Sequence, residues 1–452
     1  MEPDCRRIED DLLASVERTG PWFWVVLSGL VAVMAWGIYA YVFQLRYGLG
    51  VTGMNQPVTW GFYIINFVFF IGISHAGTLI SAILRLSKAE WRRPVTRMAE
   101  VITAVVLAIG GVHPIIDLGR PDRLLHIFYN GRLQSPLLWD VTSITAYFTA
   151  STIYLYLPMI PDIALIRDRG TRPQWLYRTL AWGWQGTPEQ HRVLDRAITV
   201  LMVMVIPIAV SVHTVISYIF AMTLQPGWHS TIFGPYFVVG AIYSGIAALF
   251  LVMITCRRVF QLESYLKEIH LQQLSYLLLI MALLWFYFTF SEYLTGLYGG
   301  EPSELQIILY KAVGRYEWLF WLMVAANFLA PVVILGLRRL RTTTGIFVVS
   351  VGVLVGMWLE RLIIVVPTLE NPPLTFPDHF YWPTWVEWGM FMGAVAVFCT
   401  GFLLFAKFFP LISIWEIEEG LETARQHVDE RLRSYLPDIP EAAASAPAAG
   451  GP

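Results

Sequence analysis

Ten long apolar stretches recur along the chain, each closed by a polar break, at residues 22–43, 59–84, 95–116, 137–160, 197–222, 232–256, 270–297, 315–338, 344–366 and 384–409. Each has roughly 20–28 residues, which at ~1.5 Å per residue is enough for a helix to cross a bilayer. The pattern predicts an all-α integral membrane protein with about ten transmembrane helices. Residues 1–20 precede the first stretch as a polar leader with Glu9, Asp10, Asp11 and Glu17. It has neither the basic start nor the small-residue cleavage site of a signal peptide, so it is expected to stay attached.

Two connections are long. Residues 161–196 carry Pro161, Pro173, Pro188 and many arginines. Residues 367–383 are rich in proline and aromatics, including Pro372, Pro373, Phe376, Pro377, Phe380, Tyr381, Trp382 and Pro383. Such a segment suits a docking lid or an ordinary aromatic belt. The tail, 416–452, should begin as a charged helix and end disordered, because its Pro440–Pro447 stretch cannot build a core.

A faint repeat organises the spans. Gly61-x-Tyr63 with Gly72 opens the second, and Gly234-x-Tyr236 with Gly245 opens the sixth at the same spacing. Asp117 and Glu292 then fall at matching places. Copies four spans apart point the same way, which predicts two parallel four-helix bundles, spans 2–5 (59–222) and 6–9 (232–366), with spans 1 and 10 peripheral. Chance is the competing explanation. All of it lies within a membrane domain at 21–415.

Composition agrees with this picture. Apolar residues make up 56% of the 452 and charged ones 14%, against about 25% charged in a soluble domain. The mean hydropathy is +0.57. Of the 31 Lys and Arg, 24 fall on the side that holds both termini and only six in the opposite loops. The positive-inside rule therefore predicts cytoplasmic termini in a multi-pass protein of a bacterial inner membrane. Cys5, Cys256 and Cys399 form no CxxC or CxxCH motif, so no iron–sulfur cluster or haem c of the chain's own is expected, and no disulfide.

Ionisable residues in hydrocarbon are expensive and usually functional. His75 stands near the middle of span 2, and Ser74, Thr78, Ser81 and Arg85 follow at steps of four, three and four. A hydroxyl stripe running inward from a histidine suits a proton half-channel, since hydroxyls both donate and accept. The same small residues would also let helices pack closely, with His75 as interhelical glue. Other ionisable groups gather toward the outer face: His113, Asp117, Asp140, His213, Glu292, Glu317, Glu360, Arg361 and Glu387. By position along their spans, His75 lies inward of the middle and His213 outward, a mismatch that disfavours a shared haem.

The runs Asn66…Ser74-His75-Ala76-Gly77-Thr78-Leu79-Ile80-Ser81-Ala82, Asp117-Leu118-Gly119-Arg120-Pro121 and Ser135-Pro136-Leu137-Leu138-Trp139-Asp140 resemble the NrfD-like family, the membrane subunits of polysulfide reductase. Val212-His213-Thr214-Val215, Pro226–Phe237 and Gly356-Met357-Trp358-Leu359-Glu360-Arg361 are similar to the two ten-helix subunits of bacterial alternative complex III. The likeness covers nearly all of 20–415. It implies a subunit of a quinol-oxidising electron-transfer complex without a covalent cofactor, with quinone or menaquinone bound at the outer face. It also implies partners: a paralogous ten-helix subunit, an iron–sulfur or molybdopterin-like peripheral protein and c-type cytochromes, with lipids around them and no nucleic acid.

If the quinol site is here, His113, Asp117, Arg120 and Asp140 are its candidates. Asp117 or His113 would accept a proton, Asp140 would orient, and Arg120 would bias the local field. If the chain is the proton-conducting companion, Ser74, His75, Thr78 and Ser81 form the inner half-channel. His213, Glu292, Glu360 and Arg361, with Asp117 and Asp140, then form the outer half. The resemblance places histidine at the position of Asp117 in the quinol-oxidising copy, whereas this chain has histidine four residues earlier, which favours the companion. A passive anchor for peripheral electron carriers and a secondary transporter are the rival readings.

Overall fold

The computed structural model describes residues 3–17, 19–170, 174–374, 376–377 and 380–435. Ten helices are long and apolar enough to cross a membrane: Pro21–Tyr47, Phe62–Leu86, Glu90–Asp117, Pro136–Arg169, Pro188–Ala221, Phe233–Val259, Glu268–Gly299, Glu317–Gly336, Thr343–Leu369 and Trp385–Phe408. They are spans 1 to 10. Among the described residues there is no strand, only an isolated bridge between Asn55 and Val58. The chain is thus an all-helical, multi-pass membrane protein. The proline- and alanine-rich end of the tail lies outside the described residues, whereas Ile414–Tyr435 is the expected charged helix.

The first and last described helices lie on one face of the array, here the terminal face, where Pro3–Glu17 packs against span 10 and against Ile414–Tyr435. Its apolar Ile8, Leu12, Leu13 and Val16 are buried at helical spacing, so the leader is an amphipathic helix lying against the spans. The opposite, loop face carries a second unforeseen helix, Pro302–Ala312, between spans 7 and 8.

Neighbouring spans close into two rings of contact. Span 2 touches 3 and 5, and span 4 touches 3 and 5; span 6 touches 7 and 9, and span 8 touches 7 and 9. The rings meet where span 2 packs on spans 6 and 9 and span 5 packs on span 6. That seam needs close backbones: a Cβ on Gly245 would sit 2.6 Å from Ala76 N. Spans 1 and 10 pack on each other through Gly37 against the Gly389/Gly393 pair, a small-xxx-small contact.

Two spans are irregular at mid-membrane. Helical order breaks at Ser74, splitting span 2 into Phe62–Ile73 and His75–Leu86. Span 8 contains a π-helical turn, Ala325–Leu329. Pro207 lies inside span 5, which nonetheless runs unbroken from Pro188 to Ala221. That span also starts earlier than its apolar stretch, because Thr187 and Gln190 form a reciprocal capping box ahead of Pro188.

Candidate functional site

Polar side chains buried in hydrocarbon need partners, so following those partners traces the site. Near the terminal face Ser81 donates to Glu100 Oε1 (2.8 Å) and lies 3.3 Å from the Tyr154 hydroxyl. All three are buried. Beyond them Arg85 and Arg92 both bond Glu416 of the C-terminal helix. A separate knot holds that helix down, where Arg97 pairs with Asp162 and reaches Pro158 O (2.9 Å) and Ser413 Oγ (3.1 Å). The hydroxyl stripe is therefore shared among spans 2, 3 and 4. Thr103 is almost one turn from Glu100 on span 3, and Tyr147, Ser151 and Tyr154 follow at i, i+4 and i+7 on span 4, all buried.

Ser74 departs from its expected role. Its hydroxyl bonds back to Ile71 O (2.6 Å), and its carbonyl accepts from Thr103 Oγ1 and from the Tyr147 hydroxyl (3.1 Å). The helix breaks there because its carbonyl is claimed from outside. The side chain of Thr78 lies outside the described residues.

The two central histidines meet. His75 Nε2 donates to Ala209 O (2.9 Å), which leaves Nδ1 as the bare acceptor of the neutral ring, and that atom has no protein partner. The His75 and His213 rings stand edge to face with centroids 3.9 Å apart. Neither ring nitrogen of His213 has a protein partner. The mismatch in depth expected from sequence is thereby corrected. Span 2 runs over Phe62–Leu86, so its middle is Ser74 and His75 stands at the centre of the span rather than inward of it.

From His213 the polar residues pass into the second ring. Gly72, at the seam, lies between Ser244 Oγ and His213 Nε2. Gly240, one turn back on span 6, faces the Arg361 guanidinium. Arg361 pairs with Glu360 and lies over the Phe237 ring, 5.0 Å to its centroid. Glu360 also accepts from Trp285 Nε1 (2.6 Å) and from the Tyr236 hydroxyl, which Thr289 Oγ1 approaches to 3.3 Å. Glu360, Tyr236 and Thr289 floor a cavity of about 170 Å³ at the loop face. Its rim holds Glu292, which accepts from Ser230 (2.5 Å), and the buried Lys311.

The first ring carries its own buried polar groups toward the loop face, and they are held differently. His113 donates from Nδ1 to Ile109 O (2.9 Å), while its Nε2 has no protein partner; the same holds for the Oδ1 atoms of Asp117 and Asp140. Asp117 lies within electrostatic reach of Glu387 and Tyr63. Tyr63 bonds Gln44, whose amide donates to Ile116 O (3.0 Å). Glu387 is held by Gly53 N (2.8 Å), the Tyr381 hydroxyl (2.5 Å) and Thr384 N (2.9 Å). Two expected contributors lie elsewhere: Arg120 is 63% exposed and pairs with Asp122, and Glu317 is exposed.

Glu100, Thr103, Tyr147, Tyr154 and Lys311 are polar members that the sequence alone did not single out, and Tyr236 stood out there only as part of the repeat. Glu100 is an acid inside an apolar stretch, and the span 4 tyrosines share one helix face, so both signals were present. Among the described residues no group of three or more His, Cys, Asp or Glu is placed to hold a metal ion.

Residues 50–372 match the family described as Polysulphide reductase, NrfD. The chain is 28% identical, over 76% of both lengths, to a putative dimethyl sulfoxide reductase membrane subunit of Halobacterium salinarum. It is 24% identical to the Hdr-like menaquinol oxidoreductase integral membrane subunit of Archaeoglobus fulgidus, over 93% of this chain and all of that one. It is 22% identical to the integral membrane subunit of menaquinone reductase of Nitratidesulfovibrio vulgaris, over 86% and 92%. With the family match spanning well over half its length, this ten-span chain belongs to the NrfD family.

Proposed function

We propose that the chain is a proton-conducting membrane subunit of a quinol- or menaquinol-linked oxidoreductase of the alternative complex III type. One observation carries the conduction: the His75–His213 contact joins a polar group at the terminal face of one ring to one at the loop face of the other. The path runs Glu100–Ser81–Tyr154, then Tyr147 and Thr103, then His75–His213, then Arg361–Glu360, then Tyr236–Thr289 and the cavity. Imidazole suits the middle because one nitrogen can take a proton while the other gives one up.

The first ring's outer cluster is the quinol site of this proposal. Quinol oxidation passes two electrons to a peripheral iron–sulfur partner and sheds two protons, so a bound quinol needs a base beside each hydroxyl. Asp117, Asp140 and His113 offer bare acceptor atoms there, with Glu387 as a fixed neighbour. The relatives named for menaquinol and menaquinone support the substrate class.

The conduction is tested with His75→Ala and Glu100→Gln in the purified complex in liposomes, reading quinol oxidation and proton movement together. Protons moved per electron should fall in both. An anchor without a path predicts normal ratios in both, with assembly yield as the sole casualty. The proposed topology puts the terminal face in the cytoplasm, following the basic-residue bias. A cysteine at position 132 should label from outside in sealed cells and one at 93 should not; the reverse overturns the orientation.

A further inference from the structure

The connection between spans 7 and 8 could have been a short polar turn. It is instead the helix Pro302–Ala312, whose buried residues are Ile307 and Lys311, one turn apart on a single face. That face roofs the second-ring cavity, with Ile307, Ile308, Glu304 and Lys311 above and Tyr236, Thr289 and Glu360 below. Burying a lysine is expensive, and a leucine or methionine would close the bundle more cheaply. The cavity is roomy enough and polar enough to hold water between floor and roof.

We propose that Lys311 is the outermost carrier of the proton path, taking a proton across the cavity from the Glu360–Tyr236–Thr289 group and releasing it to solvent at the loop face. The inference rests on the conduction proposed above. In each cycle the lone pair of neutral Lys311 Nζ accepts one proton, and the ammonium then gives one proton to outside water. Glu292 of span 7 stands beside it to favour the ammonium between these steps. Facing Lys311 around the cavity are Glu292 and Tyr293 of span 7, Glu304 of its own helix, Glu360 of span 9, Tyr236 of span 6 and His229 of the preceding loop. Burial brings Lys311 down to about 8, with Glu292 opposing, so both forms are populated near working pH.

Arginine separates the carrier from a fixed charge, since it keeps the cation beside Glu292 but does not release its proton. Protons moved per electron are measured in liposomes for the complex with Lys311→Arg, Lys311→Met and, as a control, His75→Ala. The expected result is a drop of at least about two-fold in all three. A normal ratio in Lys311→Arg overturns the carrier role, and if His75→Ala has lost its ratio the path itself stands. Normal ratios in all three overturn the path as well. If Lys311→Met does not assemble, Lys311→His carries the test: the pH midpoint of release should move from near 8 toward the ordinary imidazole value of ~6.5. An unmoved midpoint overturns the proposal.

Discussion

The two loop-face clusters hold similar residues and treat them in opposite ways. In the second ring, the Glu360 carboxylate is closed by Arg361, Trp285 and Tyr236, and Glu292 by Ser230, and Arg361 Nε is the one atom of that group with no protein partner. In the first ring, His113, Asp117 and Asp140 each keep a buried polar atom with no protein partner. A closed network fixes geometry and a proton route, whereas open acceptors await something that brings donors. On the proposed function, similar side chains would serve relay in one ring and reception in the other.

The largest effect should come from opening the closed cluster. Arg361→Leu leaves Glu360 buried without its countercharge and should destabilise the protein by about 3–5 kcal/mol, read as a fall in the thermal unfolding midpoint of the complex. Adding Glu360→Leu should restore part of that loss, because the pair then leaves together. A single variant as stable as the parent would mean that the second cluster is no tighter than the first.

The open cluster should respond in activity instead. Asp140→Asn keeps shape but removes a base, so quinol oxidation by the assembled complex should fall roughly 100-fold with little change in unfolding temperature. Rates within a few-fold of the parent would remove Asp140 from quinol chemistry.

How much of this the sequence disclosed depends on the range of the forces involved. Spans are set by local hydropathy, so ten apolar stretches became ten helices. The break at Ser74 was illegible because it requires Thr103 and Tyr147, residues of other helices, to claim one carbonyl. The meeting of His75 and His213 was hidden for a related reason. The apolar stretch 59–84 begins three residues before the helix Phe62–Leu86, so depth counted along the stretch puts His75 too far inward. Glu387 was legible as an ionisable residue at the start of span 10, but its place near Asp117 required span 10 to dock. Lys311 read as one more loop charge, and only the fold of its helix turned it inward.

The central claim, that protons cross between the rings through His75 and His213, is tested most directly with His213→Leu. No ring nitrogen of His213 bonds protein, and leucine fills a similar volume, so the fold should be undisturbed or slightly firmer. Proton movement and quinol oxidation are then measured together in liposomes, beside Asp140→Asn. His213→Leu should lower protons moved per electron, whereas Asp140→Asn should slow turnover at an unchanged ratio. An unchanged ratio in His213→Leu would contradict the crossing and leave the two histidines as packing partners.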